Sequence, residues 1–313
     1  MKHKVIIDTD PGIDDTMAIF FAFLHPQIDV IGLTSVFGNV EVEKTARNAL
    51  VLAEMANQNI PVCKGAAGPF LHPKPGYAKF VHGEEGFGTV AAMEPKGQLD
   101  PRHSAQFIVD MANQYPGELV IAAIGPLTNL AIALQLDPSI VDKVKQVVIM
   151  GGAATVPGNI TPVAEANIWN DAHAAKMVFE ASWDTVMFGL DITNNLRFNQ
   201  AFLDKLTDGN AKLGKFIDET SQFYMDFYSQ DTEDRACCFH DATPLAYLVA
   251  PELFDIKLGK MVVSTDELTR GQTAFCHKDK GFRPPWDSGP YSKVALGVDK
   301  AALTQLYIDT FAG

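Results

Sequence analysis

Short apolar runs alternate along the chain with longer stretches in which apolar positions recur every three or four residues. The first kind reads as buried strands, the second as helices with one face turned inward. Strands are predicted over Lys4–Ile7, Val30–Val36, Pro61–Cys63, Leu119–Ile124, Val144–Met150 and Thr185–Leu190. Helices are predicted between them, over Asp14–Leu24, Glu41–Asn57, Ser104–Tyr115, Leu127–Leu136 and Asp171–Ala181. In the second helix Val42, Ala46, Ala49 and Ala53 fall on one face. Beyond Asn199 the pattern changes. Helical stretches Phe202–Leu206, Lys212–Ser229 and Asp241–Val249 follow one another, Lys257–Ser264 and Thr273–His277 suit a hairpin, and Val294–Leu296 precedes a last helix, Lys300–Phe311. Strand–helix alternation of this kind predicts the α/β class, an open and mostly parallel sheet flanked by helices. No repeat or linker interrupts it, so residues 1–313 are expected to form a single domain. The long Gly- and Pro-containing stretch Gly65–Arg102, with HGEEGFG inside it, is expected to be a functional or a mobile loop.

Composition narrows the partners. The chain has 313 residues, 47% of them hydrophobic, and its 25 basic against 38 acidic residues give a net charge of −13. Such a surface is ill suited to a nucleic-acid backbone or an anionic membrane. It suits a neutral small molecule, or a site that gathers carboxylates around a cation. Cys63, Cys237, Cys238 and Cys276 show neither CxxC pairing nor zinc spacing. The vicinal pair Cys237-Cys238 is read as packed thiols. No apolar run reaches membrane-spanning length, and the N-terminus enters a strand without an apolar leader-like stretch; a cytoplasmic location is expected.

The densest chemistry is Asp8-Thr9-Asp10-Pro11-Gly12-Ile13-Asp14-Asp15, at the end of the first strand and the start of the first helix. Ligands of parallel sheets bind at the carboxyl ends of strands. Carboxylates this close repel one another, and a hard cation with oxygen ligands relieves the repulsion. The same residues also suit an acidic helix start in which Asp14 caps the helix. A second cluster is His240-Asp241 in FHDATP; alone it reads best as an N-cap beside a packed histidine. A third, Asn159, Glu165 and Asn167 in GNITPVAEANI, reads alone as a polar loop.

Together these segments resemble the inosine–uridine preferring nucleoside hydrolase family. The resemblance runs through DTDPGIDD (Asp8–Asp15), VFGN (Val36–Asn39), HGEEGFG (His82–Gly88), AIGPLTNLA (Ala123–Ala131), VVIMGG (Val147–Gly152), GNITPVAEANI (Gly158–Ile168) and HDATP (His240–Pro244). The blocks keep the family's order across nearly the whole chain. One departure is a stretch between Met150 and Asn159 that is a residue longer than the family pattern. The resemblance implies a Rossmann-like fold and calcium-dependent hydrolysis of the N-glycosidic bond of ribonucleosides. It implies Asp10, Asp15, Asp241 and the Ile124 carbonyl as calcium ligands, with Asp10 also the base that activates the attacking water. Asp14, Asn159, Glu165, Asn167 and Asp241 are implied to bind the ribose hydroxyls, with Met150 against the sugar and Asn39 close by. His240 is implied as proton donor to the leaving base, with His82 and Tyr228 approaching that base and the 228–235 segment lining its side of the site. A homodimer or homotetramer is implied as well.

Other readings compete. An aspartate pair after the first strand also fits magnesium-dependent phosphohydrolases of the haloacid-dehalogenase type, but Pro11 directly follows Asp10 and no later lysine and acidic pair stands at strand ends. A non-catalytic nucleoside binder would not need both Asp10 and His240. A pyrimidine-restricted enzyme is the nearer alternative; His240 favours broad inosine and uridine hydrolysis. The near-P-loop GNAKLGK (Gly209–Lys215) lacks the hydroxyl residue, having Phe216 there, and follows a helix where a P-loop follows a strand.

Overall fold

The computed structural model describes residues 2–73, 76–230, 235–281, 283–284 and 286–313. Ten strands form one sheet: β1 (His3–Thr9), β2 (Ile28–Ser35), β3 (Val62–Lys64), β4 (Asp100–His103), β5 (Leu119–Ala123), β6 (Gln146–Met150), β7 (Thr185–Phe188), and, after a separate ribbon of β8 (Arg197–Asn199) with β9 (Ala236–Cys238), β10 (Phe254–Val263), β11 (Thr273–His277) and β12 (Ser292–Val298). Their order is β11-β10-β12-β7-β6-β5-β1-β2-β3-β4. From β4 across to β12 neighbours run parallel; β10 is antiparallel to β12 and to β11. The sheet is thus open, mostly parallel and flanked by helices.

Alternation along β1 explains why both faces are covered. Val5 and Ile7 pack with the helix Ile13–Leu24 on one side, and Ile6 packs on the other with Phe107 and Leu130. A strand buried on both faces must be a continuous apolar run, which is what made β1 readable. The chain moves outward from β1 through β2 to β4, then restarts at β5 on the other side of β1. The crevice beyond the carboxyl ends of β1 and β5 is therefore a topological switch point, where α/β sheets bind ligands.

Most element boundaries match the sequence reading within a few residues, and the hairpin of β10 with β11 is present. Four differences stand out. The strand expected over Thr185–Leu190 stops at Phe188, because Gly189 N-caps the short helix Leu190–Thr193. The loop Gly65–Arg102 contains a helix, Lys79–His82, and the edge strand β4. The polar stretch before Asp171 contains the helix Ala166–Asn170. The β8–β9 ribbon was not foreseen, since its strands have only three residues each and pair across a long separation. The near-P-loop is helical packing: Gly214 lies inside the helix Ala211–Tyr228, and a Cβ there would meet the Leu206 carbonyl at 2.4 Å. Among the described residues no helix is long and apolar enough to cross a membrane.

Candidate active site

The acidic segment is fixed by short-range hydrogen bonds. Asp15, at the N3 position of the helix Ile13–Leu24, accepts from the Gly12 amide at 2.9 Å, the Thr9 hydroxyl at 2.5 Å and the Asn39 side chain at 3.1 Å. Asp10 accepts from the Asn39 amide at 2.7 Å, and the Asn39 side chain donates to the Asp10 carbonyl at 3.1 Å. Two glycines make room for the Asp10 carboxylate. A Cβ on Gly38 would stand 1.9 Å from Asp10 Oδ2, and one on Gly125 would stand 2.5 Å from Oδ1. The motifs VFGN and AIGPLTN thus share a physical reason: their glycines form the two sides of one carboxylate's cradle.

The second and third clusters come to the same place. Asp241 precedes the helix Ala242–Val249 and comes within hydrogen-bonding reach of Asp14. Glu165 N-caps the helix Ala166–Asn170, accepting from the amides of Asn167, Ile168 and, across the crevice, Gly152. The Asn167 side chain donates to the Ile124 carbonyl at 3.1 Å and the Met150 carbonyl at 3.2 Å, which ties the ends of β5 and β6 together. Asn159, more exposed than the rest, accepts from the Ala166 amide at 3.0 Å. His82 Nδ1 accepts from the Ile13 amide at 3.3 Å and lies 4.0 Å from Asp14.

These residues line a cavity of about 430 Å³, within the usual size of small-molecule sites. Of the residues singled out in the sequence, Asp10, Asp14, Asn39, His82, Ile124, Met150, Asn159, Glu165, Asn167, Tyr228, His240 and Asp241 all line it; Asp15 lies just behind, fully buried. His240 is held at both ring nitrogens, Nδ1 by the Thr193 hydroxyl and Nε2 by the Tyr228 hydroxyl, each at 2.8 Å. Sequence reasoning missed Thr193, Arg197 and Tyr224. Tyr224 reaches Asp14 at 3.4 Å and packs its ring against His82. Its spacing from Tyr228, one helical turn, was the available signal. Thr193 and Arg197 had none, because the short helix and ribbon that carry them were themselves unreadable. In the 228–235 segment, Tyr228 and Gln230 line the cavity, while residues 231–234 lie outside the described residues.

Electrostatics separate the two ends. Burial, reinforced by neighbouring carboxylates, raises the pKa of Asp10 and Asp241 well above the usual carboxylate range, and that of Asp14 to about 8. Burial likewise raises Glu165 and Asp15. At the other end burial lowers His240 to about 4; His82, which lies between the two beside Asp14, is lowered to about 3 by burial and the nearby His240, so both rings are neutral at neutral pH. The vicinal thiols are buried and held protonated, Cys238 up to about 12.

Ligand atoms of Asp14, Asp15 and Asp241 lie within 4.8 Å of one another, and Asp14 Oδ1 is buried without a hydrogen-bond partner. An orphaned oxygen among crowded buried carboxylates, with no thiolate or imidazole in the group, fits a hard cation. Asp10 and the Ile124 carbonyl border this group, although the carbonyl also receives the Asn167 amide.

A switch-point cavity with an acidic floor and a histidine–tyrosine wall is a site for a small polar molecule, and comparison gives the class. The family described as inosine-uridine preferring nucleoside hydrolase matches residues 5–305. A probable uridine nucleosidase 2 from Arabidopsis thaliana is 40% identical over 312 residues, covering 98% of this chain and 97% of the relative. An inosine-uridine preferring nucleoside hydrolase from Crithidia fasciculata is 34% identical over 313 residues, covering 99% and 97%. Among solved structures, a plant nucleoside hydrolase superposes with a TM-score of 0.96 at 36% identity, covering 100% of both chains. The chain therefore belongs to the inosine–uridine preferring nucleoside hydrolase family and is an N-glycosyl hydrolase. That assignment removes the phosphohydrolase and the non-catalytic binder.

Proposed function

We propose that this enzyme hydrolyses the N-glycosidic bond of ribonucleosides, inosine and uridine among them, to free base and ribose, with calcium as its resident ion. The observation that carries the reading is the division of one cavity into an acidic floor around Asp10, Asp14 and Asp241 and a wall in which His240 and Tyr228 are hydrogen-bonded. Asp10, Asp15, Asp241 and the Ile124 carbonyl are the proposed ligands, and the grouping of ligand atoms adds Asp14 beside them. A cation held there would offset the mutual repulsion of the carboxylates and make a nearby water more acidic.

The residues divide the reaction between them. Breaking the bond builds positive charge on the ribose ring, as in glycosidases. Asp14, Asn159, Glu165, Asn167 and Asp241 orient the hydroxyls, and the negative charge of the three carboxylates among them favours that ring, with Met150 and Asn39 beside it. Asp10 takes the proton of the attacking water. On the leaving side the His240–Tyr228 pair supplies the proton to the departing base, and His82 borders the same base. The neutral imidazole takes up one proton from solvent for each one it delivers to the base, and the Tyr228 hydroxyl on its Nε2 holds the ring in place for that transfer.

The Arabidopsis relative's name favours one narrower reading, a pyrimidine-restricted enzyme. We read residues 1–313 as one catalytic domain, working in the cytoplasm as a homodimer or homotetramer, with no nucleic-acid or membrane partner. The test is ribose release from a panel of purine and pyrimidine nucleosides, before and after chelation and with calcium restored. Calcium-reversible release from both inosine and uridine is expected. Release from uridine and cytidine alone would select the narrower reading, and release from no nucleoside would overturn both.

A further inference from the structure

The segment that leads from β6 to Asn159 has no regular structure, so its backbone donors need other partners. Side chains supply them four times in a row. The Gly152 amide donates to Glu165 Oε2 at 2.9 Å, the Ala153 amide to the Thr273 hydroxyl at 2.8 Å, and the amides of Ala154 and Thr155 to Asp191 at 2.8 and 2.7 Å. The Thr155 hydroxyl donates to Asp191 as well, at 2.6 Å. Asp191 is buried in the short helix Leu190–Thr193, and the Leu190 amide donates to the Gly152 carbonyl at 2.9 Å. The approach is close: a Cβ on Gly189 would meet that carbonyl at 2.7 Å and Asp191 Oδ2 at 2.9 Å. Two residues after Asp191, the Thr193 hydroxyl holds His240 Nδ1 at 2.8 Å.

An acid in the first turn of a helix is ordinary, since its charge suits the helix dipole. That alone leaves the three bonds to the loop unexplained. They join two segments that serve opposite sides of the proposed reaction. The loop is tied to Glu165 and continues to Asn159, on the sugar side; the helix backs His240, on the leaving-group side. Hydrogen bonds to a carboxylate are stronger than neutral ones, so the joint is firm. We propose that Asp191 is a positioning residue that sets both sides at once: it fixes the loop that brings Asn159 to the ribose and, through Thr193, the orientation of His240 towards the leaving base. The proposal rests on the nucleoside hydrolase reading of the same cavity. In the sequence Asp191 is only the residue after a predicted strand and belongs to none of the motif blocks.

The experiment compares the wild type with Asp191→Asn and Asp191→Ala, each with and without His240→Ala, by steady-state kinetics. The substrates are inosine and p-nitrophenyl riboside, whose leaving group needs no proton. Asparagine keeps one acceptor and sets an NH2 group against the loop's donors, so it is the milder variant. On p-nitrophenyl riboside Asp191→Ala should raise KM and lower kcat/KM by about tenfold, part of the ~10²-fold that a misplacement of 1 Å costs. On inosine the loss should be about tenfold greater, mostly in kcat, part of the ~10²–10⁴-fold that a general acid contributes. Asp191→Asn should fall between Asp191→Ala and the wild type on both. With His240 already replaced, the extra loss on inosine should vanish, because it runs through the imidazole. Equal losses on both substrates at unchanged KM would overturn the proposal, since a smaller share of folded enzyme gives that pattern. An extra loss on inosine that persists in the His240→Ala background would overturn it too. Should Asp191→Ala fail to fold, Asp191→Asn decides by the same criteria. A wild type that cleaves neither substrate overturns the nucleosidase reading itself, which the other outcomes leave standing.

Discussion

The cradle around Asp10 gives a sharp test of its place in the chemistry. Gly38→Ala adds one methyl group whose carbon would lie 1.9 Å from Asp10 Oδ2 and 2.7 Å from Cγ. Ordinary contact begins near 3.4 Å, so the carboxylate must retreat by about 1.5 Å. Retreat also breaks its 2.7 Å hydrogen bond from the Asn39 amide. It cannot turn freely, because Gly125 stands on the other side, where a Cβ added to it would come 2.5 Å from Oδ1. A reacting group displaced by ~1 Å costs ~10²-fold in rate, which is about 2.7 kcal/mol of barrier. Gly38 has an ordinary negative φ, so alanine itself imposes no backbone strain. The fold should survive, and Tm should stay within a few degrees. With Asp10 acting on the water as proposed, the loss should be alike for inosine and for p-nitrophenyl riboside. Steady-state kinetics on both substrates, with circular dichroism and thermal melting, make the measurement. Gly76→Ala, whose added carbon meets no described residue within 4 Å, is the control. Should Gly38→Ala fail to fold, Gly125→Ala approaches the same carboxylate from the opposite side. A folded Gly38→Ala enzyme with wild-type kcat on both substrates would refute the assignment of Asp10 as the base.

Two further outcomes follow from the division of the site. Asp10→Ala should abolish activity on every nucleoside, whereas His240→Ala should lower kcat on inosine by ~10²-fold or more and spare p-nitrophenyl riboside, whose leaving group departs unprotonated. Equal losses on both substrates would make His240 a structural residue. 2′-Deoxyinosine should be cleaved orders of magnitude more slowly than inosine, because the missing hydroxyl leaves buried polar groups of Asp14, Asn167 and Asp241 unpaired; comparable kcat/KM values would contradict the assigned sugar site.

The sequence by itself determined the sheet-and-helix plan and most of the acidic end of the cavity. Buried parallel strands such as β1 must be apolar throughout, so Val5, Ile6 and Ile7 announce themselves. Crowded carboxylates demand a counter-charge, so Asp10, Asp14 and Asp15 announce a site. What only tertiary structure decided is the histidine–tyrosine wall. Tyr228 and His240 were legible as separate residues, but their 2.8 Å contact, the Thr193 hydroxyl behind the ring and the arginine beside them were not. They are brought together by a three-residue ribbon and a four-residue helix. Elements that short carry no periodicity; contacts between residues far apart in the chain hold them in place. The glycines of VFGN and AIGPLTN show the same limit from the other side. Sequence marks them as part of a pattern, and only the packing shows that a carboxylate from a third segment needs the space where their side chains would be.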